Sequence, residues 1–169
     1  MRRCIAIFTL LLAAVPGGCA SVRASGDTVF IVVRHAEKAS DDPRDPSLSP
    51  AGLQRAQRLA ELLEGTPLTA AYATEYRRTQ QTAQPAVAAH GLTPAPYAAS
   101  QPAAEFTGML RQAHPRGAVL VVGHSNTVPG IVSALCGCDV DPIGDDDYGN
   151  LYRIGFDRDG RATLRHDRY

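Results

Sequence analysis

Residues 28–38 read Thr-Val-Phe-Ile-Val-Val-Arg-His-Ala-Glu-Lys, and the fold is decided by how this stretch is read. Val29 to Val33 form an unbroken apolar run rich in β-branched side chains. Such a run fits a strand covered on both faces, as in a parallel sheet between layers of helices. Arg34 and His35 stand where the run stops. Ligands of open α/β sheets bind at the carboxyl ends of strands, so the pair falls where chemistry is expected. A guanidinium offers phosphate oxygens a planar fork of donors, and a neutral imidazole is a nucleophile. Taken alone, the same pair equally reads as the charged exit of a buried strand into solvent.

Working outward, two other junctions have the same character. Ala118 to Val122 is a second apolar strand, ending at Gly123-His124-Ser125-Asn126. Leu68 to Thr74 reads as a third, followed by Glu75-Tyr76-Arg77-Arg78-Thr79-Gln80-Gln81-Thr82-Ala83 with its arginines at a helix start. If these ends converge, two imidazoles and a set of guanidiniums surround one small cavity. Nearby helix N-termini add N–H groups and positive dipole ends. A dianionic phosphoryl group is the ligand such a pocket suits.

Between the strands, Ser49 caps a helix that opens at Pro50 and ends at Gly65, its apolar face carried by Leu53, Ala56, Leu59, Ala60, Leu62 and Leu63. Glu75 to His90 is predicted helical, with Pro85 expected to kink or divide it. Gly91 to Gln101 is proline-rich, with a short strand near Tyr97. Ala103 to Ala113 is predicted as a helix stopped by His114-Pro115, and Thr127 to Leu135 as another. Asn150–Phe156 and Arg161–His166 alternate like strands around the turn Asp157-Arg158-Asp159-Gly160. The order implies a three-layer α/β/α sandwich with a mostly parallel central sheet.

With 169 residues the chain fits a single domain, and 17 basic against 17 acidic residues leave no net charge. No global field favours nucleic acid or an anionic membrane, so any anion site is local. Residues 1–24 read as a signal peptide and linker. Arg2 and Arg3 precede the apolar run Ile5–Val15, and small residues around Cys19 follow. Cys19 after two glycines is similar to the lipidated cysteine of bacterial lipoproteins, which implies an exported, periplasmic, membrane-anchored protein. Cleavage after Ala24 would instead release a soluble periplasmic one. Residues 25–169 form the expected domain. Cys136 and Cys138 read as two buried free thiols or as a strained bridge across one glycine.

The three motifs together resemble those of the histidine phosphatases, the phosphoglycerate-mutase-like superfamily. Arg34-His35-Ala36-Glu37 is similar to the Arg-His-Gly signature, with Ala36 in the glycine's place. Thr74 to Ala83 resembles the segment carrying the second phosphate-binding arginine, here Arg78 rather than Arg77. Gly123-His124-Ser125-Asn126 resembles the second-histidine motif. The resemblance implies a phosphoglycerate-mutase-like fold and a phosphomonoesterase in which His35 becomes a phosphohistidine. Arg34, Arg78 and His124 would hold the phosphoryl oxygens, with Ser125 a further donor. It implies no cofactor and no metal, and a small phosphorylated substrate as the partner. Glu105, the one carboxylate between Arg78 and His124, is the expected general acid, with Asp41, Asp42 and Asp45 in reserve. Glu37 and Lys38 are expected to shape the loop at the pocket mouth, and Asp145-Asp146-Asp147 to be a solvated loop. Alternatives are a phosphohistidine-protein phosphatase, mutase-type phosphotransfer, or a non-catalytic phosphate-binding envelope lipoprotein. A serine-hydrolase elbow at Ser125 lacks its second glycine, since Thr127 stands there, and a zinc-deaminase reading of His35-Ala36-Glu37 lacks a Cys-x-x-Cys partner.

Overall fold

A computed structural model describes residues 28–169. The expected signal segment and Cys19 lie outside the described residues. Six strands form one sheet: β1 (Thr28–Arg34), β2 (Leu68–Thr74), β3 (Ala95–Tyr97), β4 (Gly117–Gly123), β5 (Asn150–Phe156) and β6 (Ala162–Arg168). Their order is β3-β2-β4-β1-β5-β6. The first four are mutually parallel, whereas β5 runs antiparallel to β1 and β6 antiparallel to β5. The mostly parallel sheet is as expected, with an antiparallel hairpin on one edge.

Four helices cover the faces: α1 (Pro50–Leu63), α2 (Arg77–Ala88), α3 (Ala103–Ala113) and α4 (Val128–Cys136). The apolar run of β1 is explained by two cores. Phe30 and Val32 point to one, with Phe106 and Leu110 of α3 and Ile131 and Val132 of α4. Ile31 and Val33 point to the other, with Leu59 and Leu63 of α1 and Ala83 and Val87 of α2. All four β1 side chains are fully buried, so no period-2 polar face is left to alternate.

Tertiary packing decides three local details. Pro85 neither divides α2 nor ends it; the helix runs on to Ala88. Thr79, Thr82, Ala83, Ala86 and Val87 bury one face of α2, and Gln80 Nε2 donates to the Ala73 and Thr74 carbonyls. Packing outweighs a helix-interior proline cost of about 3 kcal/mol. Cys136 and Cys138 are not buried thiols but a disulfide, one half-buried and the other exposed. Gly137 closes α4 at φ 66, and this left-handed residue turns the chain so that the two Cα atoms lie 5.3 Å apart. Glu37, expected to shape the loop after His35, pairs with Arg55 of α1, whose Nε and Nη2 donate to it at 2.7–3.0 Å. That pair presses α1 onto the turn after His35. Gly52 sits so close that an added Cβ would overlap the Glu37 carbonyl oxygen.

Candidate active site

β1 and β4 pair in register with Arg34 opposite Gly123, and the His35 N–H donates to the Gly123 carbonyl at 2.9 Å. This brings His35 and His124 together, their ring centroids 5.2 Å apart. β2 lies on the other side of β4, so the start of α2 delivers Arg78 to the same place, with Nη2 3.5 Å from His124 Nδ1. Arg34, His35, Arg78, His124 and Ser125 line one cavity of about 280 Å³, together with Lys38, Tyr76 and Asp145. The sequence-expected convergence of residues 34, 35, 78 and 124 is therefore met in space.

Each ring is oriented by a neighbour. His35 Nδ1 is 2.8 Å from the Ala36 carbonyl, an acceptor only, so Nδ1 carries the proton and Nε2 keeps its lone pair. His124 has a donor, Arg78, on its Nδ1 side, which leaves Nε2–H to donate to Thr74 Oγ1 at 2.9 Å. Thr74 passes the bond to Thr79 Oγ1 at 2.8 Å, and Thr79 donates to the Tyr76 carbonyl at 2.7 Å. Thr82 joins two motifs: its hydroxyl donates to the Arg78 carbonyl at 2.7 Å and accepts the Ala36 N–H at 3.0 Å. A threonine at that spacing is needed because the Ala36 amide has left the sheet and is buried.

Burial, with the Arg34, Arg78 and His124 side chains adding to it, pushes His35 down to about 3 despite the bond to the Ala36 carbonyl. Burial and then the Arg78 charge push His124 down to about 4. Both imidazoles are neutral at pH 7.

The arginines are only partly satisfied. Arg34 is 4% exposed and gives Nη1 to the Gly144 and Asp147 carbonyls at 2.7 and 3.2 Å. Its guanidinium also lies 4.1 Å over the Tyr148 ring, and that of Arg78 lies 4.4 Å over Tyr76. Among the described residues, Arg34 Nε and Arg78 Nη1 are buried donors with no hydrogen-bond acceptor. Arg78 Nη1 has only a long 3.7 Å approach to Asp45. Buried arginine donors without acceptors are rare, and here both residues line the cavity between the imidazoles.

The carboxylates are not where the sequence puts them. Glu105 is exposed on the first turn of α3, accepts from Gln101 Nε2 at 3.2 Å, and is absent from the cavity lining. Its spacing in the chain is right, but the helix turns it to solvent. Asp41 accepts from Ser47, and Asp42 from the Arg44 and Asp45 amides, so both serve the loop's own turns. Asp45 accepts the Arg77 N–H at 2.9 Å at the start of α2. The carboxylate that lines the cavity is Asp145, from the acidic run read as a solvated loop. Tyr76, Tyr148 and Asp145 are the functional candidates missed. Tyr76 stood inside a recognised motif and could have been noticed, whereas the acidic run at 145–147 carries no local sign that it meets the cavity. Arg77 is half-exposed beside Asp41, as a surface residue.

Residues 30–99 match the model of the histidine phosphatase superfamily (branch 1). No curated protein matches the chain significantly. Among solved structures, the chain is similar to the protein histidine phosphatase SixA complexed with tungstate, at 18% identity and a TM-score of 0.68, covering 83% of this chain and 96% of that one. A mycobacterial glucosyl-3-phosphoglycerate phosphatase aligns at 13% identity and a TM-score of 0.64, over 85% of this chain and 98% of its own. Phosphoserine phosphatase from Entamoeba histolytica, in complex with 3-phosphoglyceric acid, aligns at 15% identity and 0.62, over 84% and 98%. These likenesses establish a shared fold. The match to the family model runs across β1 to β3, and over the rest of the described chain the likeness is one of fold.

Proposed function

We propose that this chain is a phosphatase acting on phosphomonoesters through a phosphohistidine at His35. The observation that carries the reading is the pair of buried, acceptor-less arginine donors beside a neutral imidazole whose Nε2 lone pair is not engaged by its own backbone. In this reading His35 Nε2 attacks phosphorus and the P–O ester bond breaks. Arg34 Nε, Arg78 Nη1 and Ser125 take the equatorial oxygens, whose negative charge the guanidiniums balance without a metal ion. A bound dianion also reverses the field at His124, which gains a proton at Nδ1 and donates it as a hydrogen bond. Water then attacks the phosphohistidine, the N–P bond breaks, and phosphate leaves.

Asp145 is the group at the cavity that would protonate the leaving oxygen, in place of Glu105. Asp145 is an exposed side chain at the cavity rim, so esters whose leaving groups need little protonation should react best. This also supports phosphoramidate substrates such as phosphohistidine, in keeping with the likeness to SixA. The membrane-anchored periplasmic lipoprotein expected from Cys19 belongs to the same proposal; Cys19→Ala should abolish metabolic labelling with palmitate.

The test is hydrolysis of 4-nitrophenyl phosphate with EDTA present, inhibition by vanadate, and an acid-labile, alkali-stable phosphoryl label on the protein that His35→Ala loses. A label on another residue would end the proposal. Asp145→Asn should slow alkyl esters about 10-fold more than aryl esters, while Glu105→Gln changes neither.

A further inference from the structure

Next to the charged cavity, and sharing Ala99, Asn126 and Thr127 with it, lies a second cavity of about 160 Å³. The remainder of its wall is Tyr97, Gln101, Ala103, Gly130 and Ile131. The two compartments adjoin and differ in kind. Arg34, Lys38 and Arg78 line the first, whereas no ionisable side chain other than the Tyr97 phenol lines the second.

The space exists because two facing helices carry minimal side chains there. A Cβ built on Gly130 of α4 would meet only the Cβ of Ala103 on α3, at 3.6 Å. The surrounding wall is held in place. The Tyr97 ring stacks on Phe106 with centroids 4.0 Å apart, and its hydroxyl donates to the Val122 carbonyl at 3.3 Å. The shared wall is tied down as well, since the Ala99 N–H donates to Glu75 Oε2 at 2.9 Å. Apolar cavities of about 150 Å³ accommodate a benzene ring. In a phosphomonoester the leaving group is one bond from phosphorus, so a compartment opening off the phosphoryl cavity is where that group can go.

We infer that this uncharged side cavity is the leaving-group subsite, selecting phosphoryl compounds that carry a single ring-sized, apolar-faced group rather than a second anion. The inference rests on the phosphatase reading for its meaning in catalysis, and on the cavity alone for its binding preference. Burying one ring on these walls corresponds to a preference of about 10-fold or more over a methyl group.

The test compares phenylphosphonate with methylphosphonate, neither of which can turn over, by titration calorimetry on the full-length protein, its Gly130→Leu variant and its Ala103→Leu variant. The wild type should bind the phenyl compound at least about 10-fold more tightly, and each leucine should reduce that ratio to near one. Two variants approach the cavity from opposite walls, so misfolding of one leaves the other decisive. Equal affinities in the wild type, or a preference that survives in a folded variant, would overturn the subsite. If the preference is present but no phosphate ester is hydrolysed, the subsite holds and the phosphatase reading falls.

Discussion

At the carboxyl end of β1, Arg34 is 4% exposed and hands Nη1 to two carbonyls, with Nε buried and left without an acceptor. On the β5–β6 hairpin, Arg165 is 76% exposed and lies 2.9 Å from Asp167, which also stands 3.8 Å from Arg153. Arg168 at the hairpin's end donates to Asp147 at 2.7 Å. The two regions share a residue type and differ in what satisfies it. Exposed arginines with carboxylate partners are neutralised locally and contribute little to stability. A buried guanidinium without a carboxylate beside it costs desolvation, which under the proposed function a bound phosphoryl group offsets. The parallel half of the sheet thus holds guanidinium donors without hydrogen-bond acceptors at its strand ends, while the arginines of the antiparallel half meet carboxylates.

The largest expected effect breaks the comparison at its centre: His35→Ala should lower turnover by about 10⁴-fold or more while leaving the urea midpoint within experimental scatter. Retained turnover would detach the cavity from the chemistry. Arg78→Ala should cost about 10²–10³-fold in kcat, read from initial rates at saturating aryl phosphate. Thr82→Val keeps the shape but removes the acceptor of the buried Ala36 amide, and should lower unfolding free energy by about 1–3 kcal/mol in denaturant titration.

Acid should expose the buried imidazoles. In the native state burial pushes the His35 and His124 pKa values down to about 3 and about 4, whereas in the unfolded chain they titrate near 6.5. His114, half-buried beside the Tyr72 hydroxyl, is shifted the same way. The unfolded state therefore binds more protons below 6.5, and stability, complete above that pH, is lost as pH falls toward 4. Urea midpoints at pH 7.5 and pH 5 measure this, and His35→Asn should make the fall shallower. The smallest effect is on the hairpin: Arg165→Ala should change stability by less than about 0.5 kcal/mol and leave kcat unaltered.

Much of this was legible locally. The continuous apolar runs of β1 and β4 announced strands buried on both faces, and the polar residues ending them marked the site. Helix α1 was readable from Ser49 and Pro50, and Ser49 Oγ indeed accepts the Gly52 N–H at 3.1 Å. Pro85 misled because propensity is a local quantity and the burial of the α2 face is not. Glu105 misled for a related reason: order in the chain says which residues lie between two motifs, but not which way a helix faces.

The sequence by itself determined the class of fold, the strand ends and the identities of Arg34, His35, Arg78 and His124, because apolar runs and their polar stops are properties of adjacent residues. Only the tertiary structure decided that Glu37 serves Arg55, that Asp145 rather than Glu105 reaches the cavity, and that Gly130 and Ala103 leave a space beside it. Those outcomes depend on the order β3-β2-β4-β1-β5-β6 and on the helix faces it brings together, through contacts such as that of Arg55 with Tyr169, 114 positions apart, that no local pattern encodes.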